Sequence, residues 1–174
     1  MTRMLTAALL VGVMAMSACT RPDRFGGNGA DPNGPGANGA VDPSALGGAG
    51  DPTSAAYFAQ TIGDRVFFAV DQSTLSPQAM SVLDGQAQWL MTNSQYLIVI
   101  EGHADEQGTR EYNVALGARR ANAVREYLIS RGVPGDRLRT ISYGKERPVA
   151  TCADDSCYSQ NRRAVTVISI SALS

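Results

Sequence analysis

An acidic and a basic residue within the segment 101–127 have the types and spacing to bind a zwitterion. Asp105 lies in a polar loop, and Arg120 lies about three turns into the helix that follows. A guanidinium can hold a carboxylate through two parallel hydrogen bonds, and a carboxylate can accept hydrogen bonds from an ammonium. The pair would suit a ligand with both groups on one carbon. A salt bridge between loop and helix, or two unrelated surface residues, explains the same spacing, and spacing alone favours these structural explanations.

Residues for the common kinds of catalysis are scarce. The chain has one histidine, His103, and two of its three cysteines are expected to be bridged to each other, so a zinc site with three protein ligands would depend almost wholly on carboxylates. It has no G-x-S-x-G elbow, and Gly144-Lys145 lacks the spacing of a phosphate-binding loop. We therefore predict no catalytic residue, no metal and no cofactor, and we expect that the chain is not an enzyme.

The N-terminus has the features of a bacterial secretory signal. Arg3 precedes an apolar run over 4–16, and small residues follow as a cleavage site. The sequence Met16-Ser17-Ala18-Cys19 resembles a lipoprotein box, with Met16 where leucine is usual. We predict that Cys19 carries lipid; an ordinary signal peptide with a chance cysteine is the alternative.

The two remaining cysteines, Cys152 and Cys157, lie in a polar loop of an exported chain, which predicts a disulfide between them. A metal pair is the alternative, but further ligands are lacking nearby.

A linker follows the signal. The window 25–54 holds nine glycines and four prolines among thirty residues and no lysine or arginine, so it cannot bury enough apolar surface to fold. We predict a signal peptide over 1–18, a lipidated N-terminus and flexible linker over 19–54, and one folded domain over 55–174. The net charge of −1 gives no attraction to nucleic acid.

The folded part alternates strand and helix signals in the order β-α-β-α-β-β. Ser76-Pro77 and Thr109 are helix-start signals, and Gly132 with Pro134 beyond it ends the second helix. Strands are predicted over 65–70, 96–100, 138–143 and 164–170. The two β-α-β units predict parallel pairing, and the long loop before the last strand lets it pair antiparallel. We expect an α/β sandwich with helices packed on a mixed sheet, and Asp105 just beyond the carboxyl end of the second strand.

Five sequence blocks resemble the OmpA-like C-terminal domain family, in particular its peptidoglycan-binding lipoproteins. They occur in the family's order at Val66–Asp71, Glu101–Asn113, Ala115–Val124, Ser142–Pro148 and Asn161–Val165. The anchor and linker extend the same plan over nearly the whole mature chain.

The resemblance implies an OmpA-like fold and noncovalent binding of peptidoglycan through the diaminopimelate of its stem peptide. The family's aspartate and arginine match Asp105 and Arg120. Further pocket positions match Asp71, Asn113, Leu116, Arg162 and Arg163. A cell-wall hydrolase or amidase acting on the same ligand is the alternative function.

The resemblance also implies partners and a location. These are TolB and other Tol envelope proteins, with TolB competing for the same surface. The location is the periplasmic face of the outer membrane, with a role in envelope integrity and division. Three features depart from the family: Val70 before Asp71, Gln107 where arginine is common, and the loop between Cys152 and Cys157.

Overall fold

The computed structural model describes residues 48–170. The predicted signal peptide, Cys19 and most of the linker lie outside the described residues. Within 48–170, no helix is both long enough and apolar enough to cross a membrane.

Four helices and four strands make up the described part. The helices are α1 (Ala55–Tyr57, continuing as a π-helix over Phe58–Gly63), α2 (Pro77–Thr92), α3 (Arg110–Ser130) and α4 (Asp155–Asn161). The strands are β1 (Arg65–Phe67), β2 (Tyr96–His103), β3 (Leu138–Gly144) and β4 (Arg163–Ile170). The α/β prediction is confirmed, whereas α1 and α4 were not predicted.

The helix-start signals act as expected. The hydroxyl of Ser76 accepts a hydrogen bond from the Ala79 amide, and Thr109 caps α3 in the same way through the Tyr112 amide. Gly132, with φ +98°, follows the end of α3 in a left-handed conformation that glycine adopts without strain.

The sheet has the order β1-β4-β2-β3. The predicted parallel pairing holds for β2 with β3, and β4 is antiparallel to both of its neighbours. The predicted pairing of β1 with β2 is wrong, because the last strand inserts between them. Since β1 and β2 are both antiparallel to β4, they run in the same direction, and their carboxyl ends lie at the same end of the sheet.

One face of the sheet carries the hydrophobic core. Ile98 and Ile100 of β2 are fully buried against Leu83 and Leu90 of α2 and Val124 of α3. The π-helix adds Phe58, whose ring packs on Trp89. The core therefore fixes α3 over β2, and this sets where the polar end of α3 lies.

Strand β1 is shorter than predicted. Phe68 still donates its amide to the Arg162 carbonyl at 2.9 Å, but the chain then turns, with the Gln72 amide bonded to the Ala69 carbonyl. Residues 69–72 therefore form a loop at the carboxyl end of β1 rather than more strand.

The predicted linker ends earlier than residue 54. Trp89 donates its indole N–H to the Pro52 carbonyl at 2.7 Å, and the Tyr96 hydroxyl donates to the Thr53 carbonyl at 2.8 Å. Ser54 is buried and caps α1. The boundary was misplaced because these contacts come from side chains about forty residues further along the chain.

Two glycines let α3 approach β2 closely. A Cβ on Gly102 would overlap the Gly117 carbonyl group, and a Cβ on Gly117 would lie 2.8 Å from the Gly102 carbonyl oxygen. Neither backbone can move without shifting a whole element, so the small residues set the spacing between helix and strand.

We expect Gly117→Ala to lower the free energy of unfolding by about 1–3 kcal/mol through overpacking, although alanine favours helix. Gly85→Ala in α2 is the matched control, since its Cβ would meet only the Ile62 methyl at 3.7 Å. The control should be neutral or stabilising by up to about 1 kcal/mol in urea unfolding. Equal effects of the two variants would contradict the close-approach argument.

Candidate functional site

A concave, polar basin opens at the carboxyl ends of β1 and β2, with a volume of about 260 Å³. Its walls come from the loop after β1, the loop after β2 and the first two turns of α3. The lining residues are Val70, Asp71, Asp105, Gln107, Gly108, Tyr112, Asn113 and Leu116. Four residues predicted from the sequence, Asp71, Asp105, Asn113 and Leu116, are therefore brought together.

Asp105 is the buried acid of the basin, with 7% of its surface exposed. One carboxylate oxygen accepts a weak hydrogen bond from the Gln107 amide at 3.3 Å. The other pairs with a guanidinium nitrogen of Arg162 at 3.2 Å. Asp105 thus has an internal cationic partner, but that partner is Arg162 and not Arg120.

Arg120 lies behind the basin wall and is fully buried. It donates to three backbone carbonyls, those of Gln72 at 2.8 Å, His103 at 2.8 Å and Ala69 at 3.1 Å. A guanidinium has five N–H groups, so two are left over. Arg120 is not among the residues that line the basin, because carbonyls of the loop after β1 and of the end of β2 occupy part of its fork.

The charge of Arg120 has no direct counterion. Among residues 48–170, no carboxylate oxygen lies within 4.0 Å of its guanidinium. Burial lowers the pKa of Arg120 to about 10, while Asp105 and Asp71 act at longer range in the opposite direction. The Phe68 ring, with its centroid 5.1 Å from the guanidinium carbon, gives further support. Desolvated positive charge thus lies beneath a basin lined by two acids.

Asp71 sits on the rim in a left-handed conformation, with φ 58°. This conformation is uncommon outside glycine, although aspartate and asparagine tolerate it best. The hydroxyl of Tyr112 donates to the Asp71 carboxylate and joins α3 to the loop. The bend at Asp71 lets the carbonyls on either side of it, at Ala69 and Gln72, reach Arg120.

Arg162 links the basin to the disulfide loop. Its guanidinium lies 3.2 Å from the Asp105 carboxylate and 2.9 Å from that of Asp155, at the start of α4. The sulfurs of Cys152, before α4, and Cys157, in its first turn, are bonded to one another, so the disulfide prediction is confirmed. Asp154 also lies close to the sulfurs, but bonded sulfurs offer no thiolate to a metal.

Arg163 is buried outside the basin. Its guanidinium donates to the carbonyls of Asn161 at 3.4 Å and Arg147 at 3.2 Å. Of the two arginines, only Arg162, which lies between α4 and β4, reaches Asp105.

Two side chains, one from α3 and one from beyond β3, hold the loop after β2. The Asn113 amide donates to the Gln107 carbonyl at 2.7 Å. Lys145, beyond β3, donates to the Gly108 carbonyl at 2.8 Å and more weakly to that of Glu106 at 3.3 Å. The loop is thus fixed from both sides, which keeps the Asp105 carboxylate in place.

Sequence reasoning missed Tyr112, Lys145 and Asp155. Tyr112 had a signal, because it lies four residues before Leu116 and so on the same face of α3. Lys145 and Asp155 had none, because their contacts depend on where two distant loops fold.

A larger cavity of about 390 Å³ lies elsewhere, between the segment before α1 and helix α2. Its walls include Tyr57, Ile62 and Trp89, and no charged side chain lines it. Size alone would favour this cavity, but the smaller basin is where the ionised groups converge, and recognition of a charged ligand needs those groups.

Comparisons with known proteins find one matching family and several similar proteins. The OmpA family matches residues 67–162. A peptidoglycan-associated lipoprotein of Rhizobium meliloti is 63% identical over 70% of this chain and 69% of its own. One from Mesorhizobium japonicum is 53% identical over 97% of this chain and 94% of its own. The crystal structure of the peptidoglycan-associated lipoprotein from Burkholderia pseudomallei has a TM-score of 0.63 at 38% identity, covering 68% of this chain and all of that one.

His103 is buried on the sheet face opposite α3, with both ring nitrogens unbonded. The nearest Glu101 oxygen lies 3.6 Å away, which is too long for a hydrogen bond. Burial, followed by the positive charges of Arg163 and Arg147, lowers the pKa of His103 to about 4. The ring stacks on Tyr143, and with this pKa the imidazole is uncharged at neutral pH.

We expect the folded state to lose stability as the pH falls through 6.5 towards 4. The unfolded histidine binds a proton near its ordinary pKa of 6.5, whereas the folded one does not until about 4. This difference lowers the free energy of unfolding by about 2 kcal/mol at pH 5 relative to pH 7. In urea titrations His103→Phe should flatten that dependence, and an unchanged pH slope in the variant would disprove the assignment.

Proposed function

The chain belongs to the OmpA family, and we propose that it binds peptidoglycan noncovalently through the free amino-acid end of diaminopimelate in the stem peptide. By this binding it would tether the outer membrane to the cell wall. The names of its relatives support the polymer, and the charges of the basin support the end group.

The observation that carries the proposal is the buried charge of Arg120 beside the acidic basin. Leaving a desolvated cation without a counterion costs stability. A ligand carboxylate entering from the basin would supply that counterion to a guanidinium that folding has already removed from water. Arg120 needs an anion, and the neighbouring Asp105 carboxylate would attract a cation. A zwitterion supplies both charges, so it is favoured over a simple anion.

The proposed bound state assigns each charge a partner. The ligand ammonium would lie near the carboxylates of Asp105 and Asp71, which both line the basin. Its carboxylate would take the two N–H groups of Arg120 that the carbonyls leave unused. Because Arg120 is fully buried in the described structure, the loop 69–72 has to shift for direct contact.

Arg162 completes the arrangement. When the ammonium approaches Asp105, Arg162 can keep its 2.9 Å contact with Asp155 and share or release Asp105. The internal ion pair would therefore hold the Asp105 carboxylate in position before the ligand arrives.

The relatives are named for an association with peptidoglycan and not for a reaction, and the prediction that the chain is not an enzyme is confirmed. A hydrolase or amidase has no observation in its favour in the described part of the chain.

Binding to purified peptidoglycan sacculi tests the site. We expect Asp105→Asn to weaken the affinity of the full chain for sacculi at least about tenfold, because the ammonium loses its carboxylate partner. The affinity is measured from the fraction of the chain that sediments with increasing amounts of sacculi. Arg120→Lys should bind as poorly, since an ammonium cannot replace the fork that serves carbonyls and ligand together.

Asp84→Asn is the matched control, because this exposed carboxylate on α2 pairs with Arg131 away from the basin. It should sediment like the wild type. Circular dichroism separates loss of binding from unfolding, which matters most for Arg120. If folded Asp105→Asn also sedimented like the wild type, the proposed site would be wrong.

The anchor and the protein partners are inferred from the resemblance. We propose that Cys19 is acylated and holds the chain on the periplasmic face of the outer membrane, and that TolB and the Tol system bind the folded domain to support envelope integrity and constriction at division. Cys19→Ala should move the chain from the membrane to the soluble fraction. A variant chain that stays with the membrane would contradict acylation at Cys19.

Saturating amounts of sacculi should displace TolB from the folded domain. Simultaneous binding of sacculi and TolB would contradict this assignment.

A further inference from the structure

Arg119 follows Leu116 on α3 and lies beside the basin, next in sequence to the buried Arg120. Its side chain is exposed, and among residues 48–170 no carboxylate lies within 4.0 Å of it. The guanidinium carbon lies 5.8 Å from the centre of the Tyr112 ring, which itself lines the basin. A cationic group thus stands at the mouth of the site.

The other cations around the basin are engaged. Arg120 serves three carbonyls, Arg162 bridges two carboxylates, and Lys145 binds two carbonyls. Arg110, at the start of α3, pairs with Glu146 at 3.1 Å. Within the described part of the chain, Arg119 is therefore the cation near the basin that has no carboxylate or carbonyl partner.

Tyr112 restricts where this cation lies. The two residues are seven apart on α3, so they occupy the same face two turns apart. The Tyr112 hydroxyl is fixed to the Asp71 carboxylate, and its ring offers Arg119 a face to rest on. A guanidinium has five N–H groups, so one that lies beside a tyrosine still keeps a pair of donors that a carboxylate can accept.

The proposed ligand has a carboxylate to offer there. If the free end of diaminopimelate fills the basin, the rest of that residue leads over the rim through three methylene groups into the stem peptide. Two further carboxylates can follow: the α-carboxylate of the neighbouring D-glutamate, and the main-chain carboxylate of diaminopimelate when it ends the peptide.

We propose that Arg119, held against Tyr112, binds a second carboxylate of the stem peptide and makes the protein select peptides in which this group is ionised rather than amidated. The inference rests on the proposed function and adds a second anion subsite to it. Because the site is exposed, the contribution is modest, about threefold to tenfold in affinity.

Calorimetric titration of the full chain in detergent tests this with three peptides. The reference is L-Ala-γ-D-Glu-diaminopimelate with all carboxylates free. The second has the D-glutamate α-carboxylate amidated, and the third has the main-chain carboxylate of diaminopimelate amidated. Comparing the second and third peptides identifies which carboxylate Arg119 takes.

Arg119→Gln should weaken binding of the reference peptide about threefold to tenfold and have no effect on one of the amidated peptides. Arg125→Gln, a variant on the same helix whose arginine pairs with Glu126 at 2.8 Å, is the control for the general loss of positive charge. It should affect all three peptides equally and weakly.

Equal weakening of all three peptides by Arg119→Gln would overturn the subsite, since only the general field would be involved. Unchanged binding of the reference peptide would overturn it as well. Both outcomes leave the proposed function intact, because the wild type still binds. Failure of the wild type to bind any of the peptides would instead refute the proposed function itself.

Discussion

The burial of one guanidinium is the constraint on which the architecture of the site depends. Arg120 is fully buried, and its bonds to the carbonyls of Ala69, Gln72 and His103 connect the loop after β1 to the end of β2. A buried cation that serves only carbonyls is costly, because carbonyl dipoles replace water but not a counterion. The protein tolerates this cost at the place where a ligand carboxylate would offset it, and such local conflicts are expected at functional sites.

The surrounding structure keeps the opposite charge close but separate. Asp105 is held by Arg162, and Arg162 is held in turn by Asp155 of the disulfide-closed segment. If Asp105 instead closed directly onto Arg120, each would neutralise the other and neither would serve a ligand. The close contact between Gly102 and Gly117 sets the distance between α3 and β2. It therefore also sets the distance between Arg120 on α3 and Asp105 beyond β2.

Much of the fold follows from local signals in the sequence. The caps at Ser76 and Thr109, the apolar run of β2 and the stop at Gly132 each depend on neighbours in the chain, so the element order was predictable. Insertion of β4 between β1 and β2 was not, because a strand inserted late in the sequence leaves no local trace. The site shows the same division. Spacing placed Asp105 at the end of β2 and Asn113, Leu116 and Arg120 on one helix face, whereas the partner of Asp105 comes from residue 162. The burial of Arg120 depends on the turn at Asp71, which the sequence presented as the end of a strand.

The central claim is that paired, opposite charges in the basin recognise a single amino-acid end group. The most direct test is the affinity of the full chain for two stem tripeptides that differ only there, one ending in diaminopimelate and one in lysine, which lacks the second carboxylate. The account predicts binding of the diaminopimelate peptide at least about tenfold tighter, since only that peptide supplies the anion that Arg120 lacks. Equal affinity for the two peptides would contradict it.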